Sequence, residues 1–84
     1  MQRKKNPDFL DCIFIKRQAS QVILDNANIR YGQAVFNAAH DKFPEAANML
    51  RGSNFDCFYE DSKVEEFLIE LQHITILGLG ERDQ

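Results

Sequence analysis

Two cysteines, two histidines and thirteen acids are the residues here whose types could do chemistry, and their spacing argues against most of it. A metal site needs clustered nitrogen, sulfur or carboxylate ligands, whereas His40 and His73 stand far apart and gather no third ligand around either. The stretch from Asn54 to Glu65 places oxygen-bearing side chains at the first, third, seventh, ninth and twelfth positions of a calcium loop. Phe58 and Tyr59, however, occupy the fifth and sixth, where a ligand and a turn-forming glycine are required. A nucleophilic thiol needs a neighbour that lowers its pKa, and Cys12 lies in an apolar run while Cys57 adjoins Phe58. Both read as small buried hydrophobes. Acid pairs such as Glu60-Asp61 and Glu65-Glu66 are ordinary at helix starts and on solvated faces. The expectation is therefore no metal, no cofactor and no catalysis.

One constellation stands out: Arg30, Tyr31 and Gln33 around Gly32, together with Asp56, Phe58, Tyr59, Glu60 and Asp61. Two readings of it follow from side-chain chemistry. In the first, Arg30 and Gln33 tie a helix to the acidic loop by charge-assisted hydrogen bonds while Phe58 plugs the core. In the second, the loop is a docking surface, because exposed Tyr and Phe beside carboxylates suit a basic, partly apolar partner. The two are compatible.

Charge narrows the partners. The net charge is −3, but residues 1–53 carry eight Lys/Arg against five Asp/Glu, and residues 54–84 carry two against eight. The acidic second half and a pI near 5.2 lack the basic footprint that dominates affinity for phosphate. Nucleic-acid binding is thus the minor alternative, carried by Arg3, Lys4, Lys5, Lys16 and Arg17. With two cysteines, no framework of disulfides and no membrane-length apolar run, a reduced, cytoplasmic protein is expected. The basic first residues, interrupted by Asp8 and Asp11, do not read as a signal peptide.

The elements that would hold the constellation are helices. With 44% apolar residues, nine Phe and Tyr, and only two Pro and four Gly, the chain is globular and poor in turns. A first helix is predicted from Asn6-Pro7, capped by Asn6, with apolar residues at Leu10, Ile13, Phe14, Ile15, Ala19, Val22 and Ile23. The run Cys12 to Ile15 also fits a short strand, but Lys16-Arg17-Gln18-Ala19 continues the helix without a breaker. A second helix from about Ile29 to Lys42, capped by Asn26 or Asn28, would turn Gly32, Val35, Phe36 and Ala39 inward. Gly32 costs helix propensity there, which implies close approach of another helix backbone. Pro44 opens a third helix that Gly52 ends. Ser62 and Glu65 make a capping-box spacing into a last helix with Val64, Phe67, Leu68 and Leu71 on one face. The segment His73 to Gly80 is expected to be an extended arm, packed on its own core or added to a partner.

At Asn26, Arg30, Tyr31, Gly32, Gln33 and Asn37, then Asp56, Phe58, Tyr59, Glu60 and Asp61, the chain resembles a loose set of short uncharacterised bacterial and phage proteins. The resemblance spans roughly residues 19–71 and departs at Ala27 and Cys57, where such proteins often carry Pro. It implies a phage or mobile-element origin and no particular activity.

The sequence thus predicts a single all-α domain over residues 1–84. It would be a small bundle of three to four short helices with an extended C-terminal tail, mobile at 1–5 and 78–84. The expected function is non-enzymatic protein–protein interaction, as a phage or bacterial accessory protein that binds and modulates a larger partner. The alternative is a small DNA-associated regulator using the basic N-terminal region. A core this small, with aromatics to hide, also predicts a homodimer.

Overall fold

A computed structural model describes residues 7–74 as four α-helices with no strand among them: α1 (Phe9–Asp25), α2 (Tyr31–Lys42), α3 (Pro44–Leu50) and α4 (Val64–Ile74). A 3-10 turn, Asp61–Lys63, leads directly into α4. The predicted cap at Asn6, the mobile ends and residues 75–80 of the predicted arm lie outside the described residues, while His73 and Ile74, expected in that arm, are instead the last residues of α4.

The first helix starts later than its sequence suggests. Asp8, not Asn6, is the N-cap, and Pro7 precedes the helix. The Asp8 carboxylate accepts from the Asp11 amide at 2.9 Å, and the Asp11 carboxylate accepts in turn from the Asp8 amide at 3.1 Å. This reciprocal box satisfies two amides that the helix cannot, and it accounts for the burial of the Asp11 carboxylate. Of the predicted apolar stripe only Ile15 and Ala19 are buried, joined by Cys12, with Ile23 half-buried. Leu10, Ile13 and Phe14 face outward, because the apolar residues of α1 occupy two faces and the bundle covers one, and Val22 lines a groove between α1 and α2.

Asn26 terminates α1, its amide donating to the Val22 carbonyl at 2.8 Å, and its side chain accepts from the Asn28 amide. Neither asparagine therefore caps α2. That helix begins at Tyr31, and its N-cap residue, Arg30, makes no side-chain cap hydrogen bond. The α2 residues Gly32, Val35, Phe36 and Ala39 turn inward as expected, with Ala34 beside them. Pro44 opens α3 at its first turn, and Gly52, at φ +77°, ends the segment in the left-handed region that glycine tolerates. On α4, Val64, Phe67, Leu68 and Leu71 are all buried. The predicted Ser62–Glu65 cap does not form. Ser62 donates to the Glu60 carboxylate at 3.4 Å, and Glu65 instead pairs with Lys16 at 2.6 Å.

α1 and α2 pack directly on each other, and α3 bridges α2 and α4. α4 runs antiparallel to α1: Lys16 meets Glu65, while Cys12 donates its thiol hydrogen to the Leu68 carbonyl and accepts from Gln72. Small residues at the crossings, Ala19, Ala34, Ala39, Ala46 and Ala47, let the helices approach. The larger side chains Ile15, Val35, Phe36, Leu50, Phe67 and Leu71 fill the space between them. Phe36 is the centre, with its ring 5.4 Å from Phe67 and 5.7 Å, edge-on, from Phe58.

Candidate functional site

The loop between α3 and α4 is fixed by hydrogen bonds along its length. Asp56 is its organiser: one carboxylate oxygen accepts the Gly52 amide at 2.7 Å and the other the Phe58 amide at 2.9 Å. Ser53 donates its hydroxyl to the Leu50 carbonyl and accepts from the Phe55 amide. Lys63 reaches back to the Asn54 carbonyl at 2.9 Å. A loop with this many internal partners holds its exposed side chains in place, which lowers the entropy lost when a partner orders them.

The loop is docked on the N-terminus of α2 at Gly32. The Gly32 amide donates to the Asp61 carboxylate at 2.8 Å, and the Cys57 thiol donates to the Gly32 carbonyl at 3.4 Å. Asp61 thereby supplies, from 29 residues away, the cap that Arg30 does not. A Cβ on Gly32 would overlap the Cys57 carbonyl oxygen, stand 2.9 Å from an Asp61 carboxylate oxygen and 3.3 Å from the Asp61 Cα. The close approach expected at this glycine is therefore real, but the loop makes it rather than a helix.

Above this junction sits a cleft of about 200 Å³ lined by Phe36, Arg51, Asp56, Phe58 and Tyr59. The Tyr59 ring lies edge-on to Phe58 at 4.9 Å, with the Arg30 guanidinium 5.8 Å from its centre. Arg30 also donates to the Phe58 carbonyl at 3.4 Å. The Arg51 guanidinium lies 5.4 Å from the centre of Phe36. Such cation–aromatic contacts are worth about 0.5–1 kcal/mol where solvent reaches them, enough to bias an orientation.

The predicted constellation is therefore brought together in part. Asp56, Phe58 and Tyr59 line the cleft and Arg30 contacts Phe58 and Tyr59 beside it, whereas Asp61 serves as the cap of α2. Glu60 stays exposed next to Tyr59. Tyr31 is half-buried against the core, and Gln33 is half-buried in the first turn of α2. Sequence reading missed Arg51 and Phe36 as walls of the cleft. Phe36 reads as a plain core position, and no local signal places Arg51 against it.

The thiols are held in their neutral form. Burial, the main cause, with nearby Asp11 next, pushes Cys12 up to about 11; burial, then Asp56, pushes Cys57 up to about 12. Both are free and buried, so each is a poor nucleophile at neutral pH. Among the described residues there is no group of three or more His, Cys, Asp or Glu able to hold a metal ion, and no helix long and apolar enough to cross a membrane. Of the basic residues considered for DNA, Lys16 is engaged by Glu65, whose hydrogen bond raises the Lys16 pKa, and Arg17 is exposed. Arg3, Lys4 and Lys5 lie outside the described residues. Comparison of the chain with protein-family models, with curated proteins and with solved structures finds no match.

Proposed function

We propose that this protein is a non-enzymatic binding module that docks a larger protein through the loop around Tyr59, in the manner of a phage or bacterial accessory protein. The observation that carries the reading is the state of Tyr59. It is 76% exposed, yet it is oriented by Phe58 on one side and Arg30 on the other, on a loop pinned to α2. The core gains little from an aromatic so exposed, and pre-oriented tyrosines with a cleft beside them suit the centre of an interface. Glu60 and the acidic balance of residues 54–84 favour a basic, partly apolar partner and speed its approach.

The test is capture of a partner by the wild type against Tyr59→Ala and Glu60→Lys variants, with circular dichroism showing that each stays folded. Phe58 is left intact, because its ring packs edge-on against Phe36 and its loss would confuse folding with binding. A partner kept by the wild type and lost by both folded variants supports the reading, and equal capture by all three overturns it. The DNA-associated alternative draws only on the exposed Arg17 and the first residues. A mobility-shift assay at low salt that shows no complex removes it.

A further inference from the structure

The first helix is apolar on two faces, and the bundle uses one. Cys12, Ile15 and Ala19 point into the core. On the outward face Phe9 is 69%, Leu10 71%, Ile13 38%, Phe14 46% and Leu24 78% exposed. A helix at the rim of a bundle needs one apolar stripe, so a second stripe on the same helix implies a second packing partner.

We propose that this outward face of α1 is a homodimer interface, in which two copies of the chain pack their first helices antiparallel about a two-fold axis near Arg17. The pattern of the face is what selects a second copy. Leu10 and Leu24 stand seven residues either side of Arg17, at heptad spacing along one row of the helix. An antiparallel pair centred on Arg17 therefore sets Leu10 of one protomer against Leu24 of its partner, twice, as a two-fold requires. Ile13 and Phe14 then lie over Gln21 and Ser20 of the partner, and the two Arg17 side chains meet at the axis. Their aliphatic stems can pack while their guanidinium groups reach water. A polar residue at such a position fixes register at a cost in stability, so the dimer is expected to be weak.

The exposed area agrees with this arrangement. Taking roughly 200 Å² for each large apolar residue, the exposures above leave on the order of 600 Å² on one protomer. That is near the largest apolar patch a monomer ordinarily shows. Two such faces bury about 1,200 Å², the low end of a specific interface. A 17-residue helix is about 25 Å long, so the two Leu10–Leu24 pairs lie towards the ends of the seam, with Arg17, Ser20 and Gln21 between them. Phe14 forms the rim, since the Lys42 ammonium already lies 4.9 Å from its ring centre.

The test is sedimentation equilibrium of the full-length chain with Leu10→Lys, Leu24→Glu, the double variant and Arg17→Leu. Positions 10 and 24 are exposed in the protomer, so its fold should be unaffected, which circular dichroism verifies. The expected result is a wild-type dimer that each single charge abolishes and the double variant restores. In the double variant the ammonium introduced at position 10 of one copy meets the carboxylate introduced at position 24 of the other. Arg17→Leu tightens the dimer by removing the like charges at the axis. A wild type that is monomeric up to millimolar concentration overturns the proposal. So does a dimer that survives both single variants, or one that the double variant fails to rescue. If the wild type is monomeric and an Ile76→Asp, Leu77→Asp variant gains binding of a hydrophobic dye, the chain's own C-terminal segment is the occupant instead. Tyr59→Ala leaves the dimer intact in every case, which separates this interface from the loop around Tyr59.

Discussion

Replacing Gly32 by Ala adds one methyl group at the point where the loop meets α2. The new Cβ would overlap the Cys57 carbonyl oxygen, which must withdraw by more than about 1 Å to reach ordinary contact. That oxygen belongs to the same short segment as Asp61, so its withdrawal also breaks the Gly32–Asp61 hydrogen bond. Losing that cap costs about 1–2 kcal/mol, and overpacking at a tight site costs about 1–3 kcal/mol. Alanine returns about 1 kcal/mol of helix propensity. The expected net loss is about 1–4 kcal/mol, a large part of the ~4–13 kcal/mol available to a domain of this size. Urea unfolding followed at the helical dichroism band measures it, and the melting temperature should fall by on the order of 5–30 °C. Asp61→Ala alone should cost about 1–2 kcal/mol as a lost cap. The double variant should cost less than the sum, because Gly32→Ala has already broken the bond that Asp61→Ala removes. A Gly32→Ala protein as stable as wild type, or strict additivity in the double variant, would refute the tight junction.

Three further outcomes are expected. The two buried thiols have folded pKa values raised above the ordinary 9.0, to about 11 and about 12. The unfolded thiols therefore ionise first. Stability is fully present below about pH 9 and declines as pH rises towards 11–12, and a Cys12→Ala, Cys57→Ala protein shows a smaller decline in urea midpoint over that range. Phe36→Ala, which empties the ring cluster with Phe58 and Phe67, costs about 3–5 kcal/mol, whereas Tyr59→Ala stays within about 0.5 kcal/mol, both by urea unfolding. Gly52→Ala meets no atom but forces a left-handed backbone on a side chain, so it costs about 1 kcal/mol in the same assay, and Gly52→Asn costs less.

The all-α class was legible in the sequence because it rests on local rules. Pro44 at a helix start, Gly52 at a helix end and the 3.6-residue spacing of Val64, Phe67, Leu68 and Leu71 act within a turn or two of chain. The burial of both cysteines followed in the same way, from their apolar neighbours. Capping was less legible, since several residues near each end could serve. Asp8 displaced Asn6 by virtue of its partner at Asp11. Glu65 left the predicted cap for Lys16, a residue on the far side of the bundle's sequence, in α1.

What only the tertiary structure decided is the site. Asp61 caps a helix 29 residues upstream, and Arg51 lies against the ring of Phe36 beside the cleft. Neither pairing leaves a periodic trace, because the partners are set by how α2 and the loop before α4 pack. The sequence showed that Gly32 must be small for a reason; the structure showed that the reason is the loop backbone. It likewise carried two apolar stripes on α1, and packing alone settled which became core and which was left facing water.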